Sequence, residues 1–273
     1  MPTKPSTPLL LGLLTIFIVG GVIGGFMALT HQAEPDLDAR LEQARTVLEQ
    51  ARRTGSIAND PRYTALALPD LERIDARKML FIAKILPQIA AENQRIRSQR
   101  WRIKNTPSLA QLNALAIAYR LKPGNVSRNE LLKRVDTVPE SLVLGQAALE
   151  SAWGTSRFAR QGHAYFGERT FDPDAPGMVP KRASGFKVKS FTEPYLSVRS
   201  YMRTLNTHRA YKALRERRAV LHNLGRTPSG EDLAYHLGAY SEIGQSYVTR
   251  ILATIKANRL SDFDDIQSHN ASP

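Results

Sequence analysis

Glu150 stands where a carboxyl group could deliver a proton to a breaking bond. It lies near the end of an apolar helical run, Gln146-Ala-Ala-Leu-Glu-Ser-Ala-Trp-Gly-Thr-Ser-Arg-Phe-Ala159, four residues before Gly154. Glycine takes the left-handed conformation that terminates helices, so the spacing predicts a helix that ends just after Glu150. A carboxylate in a last helical turn feels the negative end of the helix dipole. Ala147, Ala148, Leu149 and Trp153 desolvate it as well. Both effects disfavour the charged form and raise the pKa. A carboxylic acid still protonated near neutral pH is the general acid that glycosidic cleavage requires. A Glu near a helix end is more often a solvated surface residue, and spacing alone does not separate the two.

Other chemistries find less support. Most glycosidases pair the acid with a second carboxylate, and the stretch after the motif offers Glu168, Asp172, Asp174 and Glu193. Asp172 and Asp174 sit among prolines and read as turn residues. Glu193 reads as the first turn of a helix, where negative charge is favourable. Ser151, Thr155 and Ser156 raise a serine-nucleophile alternative, but none of the six His, His163 included, has a telling spacing to serve as base. No two His stand three or four apart, and His208, His222 and His236 lie 14 residues apart, which fits no compact metal-ligand motif. The chain has no Cys, which removes disulfides, thiol chemistry and Cys-ligated metal. No cofactor or metal is expected.

The run Leu142–Ala159 resembles the catalytic helix of the bacterial glucosaminidase-domain family. It is more similar still to the Bax-type branch, related to the muramidase domain of flagellar rod-assembly proteins. Lys78–Asn93 and Ser190–Tyr211 resemble the same branch, so the resemblance spans roughly residues 72 to 260. It implies a lysozyme-like fold that cleaves peptidoglycan glycan strands, with Glu150 as catalytic acid. In the flagellar branch the partner is a Glu on the β-hairpin, and Gly177-Met-Val-Pro-Lys-Arg182 holds no acidic residue. Tyr165-Phe-Gly-Glu168 resembles the motif lining the family's cleft, which makes Glu168 the expected partner. The common Asn-Leu-Phe-Gly stands here as Ala164-Tyr-Phe-Gly167, so Tyr165 either stacks on a sugar or fills core. Phe166 reads as core, and Gly167 as a position of close backbone approach. Trp153 either stacks on sugar or anchors the turn. Trp153, Ser156, Tyr165, Phe166 and Gly167 are the candidate substrate-binding residues. Gly238–Tyr247 resembles the family's late motif, in which a Tyr reaches back to the acid; Tyr240 takes that part and Tyr247 reads as packing. Without a carboxylate partner, the substrate's 2-acetamido group can attack instead.

Three activities compete: an endo-β-N-acetylglucosaminidase, a lytic transglycosylase built on Glu150-Ser151, and a non-catalytic wall-binding module.

The elements that must position these residues are mostly helical. Leu37, Leu41, Ala44, Leu48 and Ala51 form a short heptad seam, either a membrane-proximal stalk or dimer helix or an amphipathic helix lying on the domain. Residues 54 to 61 read as linker. A long helix is expected from Leu71 to Arg100, kinked or split at Pro87. Helices follow at Ser108–Leu121, at Ser127–Val135 with a capping box, and from Pro139 to the acid. Residues 163 to 191 then change texture, and Phe186-Lys-Val-Lys-Ser-Phe191 alternates as a short hairpin lobe would. Helices resume at Glu193–Leu205, Arg209–Leu221, Gly230–Leu237 and Ile243–Asn258, and residues 261 to 273 read as a disordered tail. The expected class is α+β, mostly helical: a lysozyme-like domain over residues 70 to 260 with a small β-hairpin lobe.

The amino end adds a membrane expectation. Leu9 to Thr30 carries no charge and is long enough to span a bilayer as a helix. Lys4 precedes it and Glu34, Asp36 and Asp38 follow, so residues 1 to 8 belong in the cytoplasm and the catalytic domain in the periplasm. A cleaved signal is the rival, but His31 stands where a site after Ala33 would need a small residue. Residues 31 to 69 would join this inner-membrane anchor to the domain. The 38 Lys and Arg against 25 Asp and Glu give a net charge of +13. Such charge favours a polyanionic partner. No nucleic-acid module is visible, which leaves the cell wall and the membrane surface.

Overall fold

The apolar residues of the long helix recur on every side of it, and such a helix must be enclosed. In the computed structural model α2 (Ile74–Lys104) is the element around which the others pack. The structure describes residues 37–59, 73–105, 107–124, 126–181, 185–237 and 244–270. Leu80, Phe81, Ala83, Ile85, Leu86, Ile89 and Ala90 are all fully buried. The helix runs through Pro87 as a single element, so of the two expectations it is not split in two there. An interior proline costs about 3 kcal/mol. Burying several large side chains at about 1.5–3 kcal/mol each exceeds that.

The amino-terminal seam is used by the domain itself. In α1 (Leu37–Thr54) Leu41, Ala44, Leu48 and Ala51 are buried, and the helix packs on α2. It therefore lies on the domain and is not a free stalk. The expected linker contains a strand, β1 (Ser56–Asn59), which pairs in parallel with β5 (Gln267–Asn270). The expected disordered tail is thus ordered as far as residue 270, with Phe263 and Ile266 buried. Each segment is too short and polar to announce a strand, and each acquires one only from the other's backbone.

The helix that carries Glu150 is α5 (Glu140–Ser151). Its amino end is fixed by Asp264, which accepts from Ser141 N at 2.8 Å, Ser141 Oγ at 2.9 Å and Gly230 N at 3.1 Å. One carboxylate so caps both α5 and α9 (Gly230–Ala234). A Cβ on Gly230 would run into Ser141, so the position admits only glycine. Beside it Glu140 is 1% exposed, and burial pushes its carboxyl up to about 8. Along α5, Leu142, Val143, Ala147 and Ala148 are fully buried. Gly145 lets α10 (Gln245–Ala257) approach closely, since a Cβ there would lie 3.3 Å from Ile255.

Smaller helices α3 (Leu109–Ala118) and α4 (Arg128–Arg134) follow the sequence closely. Ser108 and Gln111 form a complete capping box. At the second, Ser127 caps Glu130 N while the Glu130 carboxylate pairs with Arg134, so only half the expected box forms. Between α4 and α5, Asp136 sits 3% exposed against Arg218 at 3.1 Å, His222 at 3.0 Å and Arg100 at 3.5 Å. Burial would raise its pKa, but Arg218 and these other partners hold it below the usual carboxylate range. This cluster pins α8 (Lys212–Asn223) to the core.

The lobe is a three-stranded antiparallel sheet in the order β2-β4-β3: β2 (Arg169–Thr170), β4 (Lys187–Lys189) and β3 (Gly177–Met178). It is preceded by α6 (Arg157–Gly162) and followed by α7 (Pro194–Thr207). A mostly helical α+β architecture is therefore correct. The expected span at residues 9–30 lies outside the described residues. Among the described residues, no helix is long and apolar enough to cross a membrane.

Candidate active site

The turn after Glu150 is tighter than Gly154 alone predicts. Ala152 at φ 52° and Trp153 at φ 57° are already left-handed before Gly154 at φ 80°. A left-handed residue with a Cβ costs roughly 1–2 kcal/mol. Ser151 holds the turn: its Oγ donates to Ala147 O at 2.6 Å and accepts from Gly154 N at 2.8 Å. Trp153 N donates to Ala148 O at 2.8 Å. Ser151 is thus fully buried and committed to the backbone, which removes it as a nucleophile.

Glu150 emerges half-buried from this turn. Burial raises its pKa; a hydrogen bond from Tyr247 and the charge of Arg250 oppose the rise without cancelling it. Tyr247 belongs to a chain of hydrogen bonds. Its hydroxyl accepts from Gln146 Nε2 at 3.0 Å, and Gln146 Oε1 accepts from the Tyr201 hydroxyl. The Tyr201 ring stacks on Phe166 at 4.0 Å with an interplanar angle of 1°. Gln146 stands four residues before Glu150, so acid and support share one face of α5.

The lobe meets the acid through Gly167. Its φ is +61°, and a Cβ built there would lie 3.7 Å from Glu150 Oε2. Gly167 is itself exposed. Next in the chain, the Glu168 side chain is 9% exposed. Its Oε1 accepts from Thr204 Oγ1 at 2.9 Å and lies 3.4 Å from Lys189 Nζ. Tyr211 is 6% exposed, and its phenol is pushed up to about 12, first by burial and then by the charges of Glu168 and Glu150. Raised in this way, that phenol keeps its proton near neutral pH.

The remaining candidates divide. Tyr165 and Phe166 are each 2% exposed, so both are core residues and neither offers a face to a sugar. Tyr165 packs edge-on to Phe81 at 6.1 Å. Trp153 is partly buried against the core, edge-on to Phe81 at 5.6 Å, with Lys78 Nζ 5.3 Å from its ring centre. Ser156 caps α6 by accepting from Ala159 N at 3.2 Å. Tyr240 lies outside the described residues. Glu193 precedes α7 as its N-cap residue, and Asp172 accepts from Asp174 N within a turn. His163 is half-buried and depressed in pKa by burial and by Lys84. Among the described residues no group of His, Cys, Asp and Glu could hold a metal ion. Two surface cavities of about 560 and 270 Å³ are lined by other residues, Arg217 and Tyr235 in the first and Arg52 and Lys78 in the second.

Sequence reasoning missed Tyr211, Tyr247, Gln146 and Thr204. Gln146 had a signal in its four-residue spacing from Glu150, and Tyr247 closes the late motif that was assigned to Tyr240. The others come from separate helices and meet the acid only in the fold.

Residues 127–260 match the family model described as mannosyl-glycoprotein endo-beta-N-acetylglucosaminidase, the Glucosaminidase family. The chain is also 33% identical over 211 residues to Protein bax of Escherichia coli (strain K12), covering 71% of this chain and 75% of that one. It belongs to the Bax-type glucosaminidase-domain family. The matched family region contains Glu150, Gly167, Glu168, Tyr211 and Tyr247 together. A glucosaminidase domain implies a glycosidase acting on a peptidoglycan-type glycan. No solved structure matches the chain.

Proposed function

We propose that this protein is a peptidoglycan hydrolase, an endo-β-N-acetylglucosaminidase in which Glu150 is the general acid. The observation that carries the reading is the setting of Glu150: half-buried at a helix exit, raised in pKa by burial, hydrogen-bonded by Tyr247 and adjacent to the exposed Gly167. Such a carboxyl group holds its proton until the glycosidic oxygen takes it. Glu168, in the lobe, is the candidate second carboxylate, and the substrate's own 2-acetamido group is the other nucleophile available. The uncharged run from Leu9 to Thr30 supports an inner-membrane anchor with the domain in the periplasm. The net charge of +13 suits an anionic wall.

The test is digestion of purified peptidoglycan by the wild-type protein and its Glu150→Gln variant, with mass spectrometry of the products. Reducing N-acetylglucosamine ends, lost in the variant by about a hundredfold or more, are expected. Anhydro-muramic ends would identify a lytic transglycosylase instead. Wall binding without cleavage by either form would identify a non-catalytic module.

A further inference from the structure

Glu168 keeps one carboxylate oxygen in reserve. Thr204 and Lys189 both engage Oε1. Oε2 is buried and has no hydrogen-bond partner among the described residues. A buried acceptor without a donor costs about 1–3 kcal/mol, and more when charged. Native structures leave few such atoms, and each calls for a water, a ligand or a reaction.

The surroundings favour a ligand. Gly167, the residue before Glu168, lies against Glu150. Tyr211 lies within the fields of Glu168 and Glu150 alike. Glu168 is therefore one residue away from the point where the lobe meets Glu150. A glycan whose bond is protonated by Glu150 puts the substituent on carbon 2, next to the anomeric carbon, in the immediate neighbourhood of the acid. In an N-acetylated sugar that substituent carries an amide N–H, which donates and cannot accept. A carboxylate oxygen accepts and cannot donate.

We propose that Glu168 Oε2 accepts the N–H of the substrate's 2-acetamido group, which makes Glu168 a specificity-determining residue for N-acetylated sugars. The proposal rests on the glycosidase reading above. With Oε1 held by Thr204 and Lys189 and Oε2 by the amide, Glu168 does not also serve as nucleophile or water-activating base.

The experiment exchanges N–H for oxygen. The probes are a tetrasaccharide of β-1,4-linked 2-acetamido-2-deoxyglucose and its counterpart bearing 2-O-acetyl groups. Calorimetry on the Glu150→Gln protein reads affinity without turnover. The amide sugar should bind roughly 10- to 100-fold more tightly, the effect of one hydrogen bond to a charged group. Adding Glu168→Gln should reverse the order. Lys189 will hold the new amide's oxygen and turn its NH2 outward, against the substrate N–H but towards the ester oxygen. Thr204→Val, which frees the carboxylate without altering its charge, should shrink the preference and guards against misfolding of the first variant. Equal affinities in the Glu168 protein, a preference unchanged by Glu168→Gln, or no binding of either sugar overturns the proposal. So does an intact preference accompanied by an equal collapse of turnover on both sugars when Glu168→Gln is made in the wild-type chain. Failure of the wild-type protein to cut any glycan sinks the glycosidase reading separately, because the affinities are measured without cleavage.

Discussion

Tyr247→Phe should move the alkaline limb of the pH–rate profile upwards. Gln146 is held in one orientation, because its oxygen accepts from Tyr201 and its nitrogen donates to Tyr247 at 3.0 Å. With Gln146 donating to it, Tyr247 has its own proton left for Glu150, and that hydrogen bond favours the ionised carboxylate. Hydrogen bonds to charged groups are worth about 1.5–3 kcal/mol, and about 1.4 kcal/mol corresponds to one pKa unit. Deleting the hydroxyl should thus raise the pKa of Glu150 further, enough to move a pH profile measurably. The direction follows because burial, the largest influence, then acts with less opposition. The assay is kcat/KM for glycan cleavage across pH, whose descending limb reports loss of the acid's proton in the free enzyme. The variant should retain activity at higher pH than the wild type. Gln146 also loses an acceptor, so a stability loss of about 1–3 kcal/mol accompanies the change and the assay belongs well below the melting temperature. A limb that stays in place, or moves to lower pH, would refute the reasoning and remove Tyr247 from control of the acid.

Three other outcomes follow from the same geometry. Gly167→Ala forces a side chain into φ +61° and adds a methyl group 3.7 Å from Glu150 Oε2. It should cost roughly 1–2 kcal/mol of stability and depress cleavage, and wild-type values of Tm and rate would count against it. Asp136→Asn leaves Arg218 buried without its counter-charge. Denaturant unfolding should show a loss of about 3–5 kcal/mol, and an unmoved midpoint would contradict the reading. Glu140 is raised from 4.5 to about 8, so between those values the folded protein holds a proton that the unfolded chain has released. Its contribution to stability is complete below the lower value and is lost as pH rises through the upper one. Melting curves across that window should therefore show Tm falling towards the alkaline end, and a rise would show that Glu140 is already ionised.

Local chemistry was legible residue by residue. The desolvated Glu150, the helix stop behind it, the caps at Ser108 and Ser127, and the alternating strand around Val188 all rest on neighbours a few positions apart. Such neighbours meet in whatever fold the chain adopts, so their spacing carries the information. The Bax-type resemblance rested on the same kind of evidence, contiguous runs of residues.

What sequence could not deliver involves partners distant in the chain. Pro87 read as a kink or a break because its missing donor is a local fact, whereas the packing around it comes from elements distant in the chain. Residues 56–59 and 267–270 read as linker and tail because each strand exists only through the other. Tyr165 kept two open readings until burial settled it as core. Length, charge and the place of Glu150 at a helix end followed from the chain itself. The hydrogen bonds around Glu150, and the Glu168 oxygen left without a partner among the described residues, were decided by tertiary structure. Electrostatics and hydrogen bonding act over a few ångströms of space, and only folding converts separation along the chain into that distance.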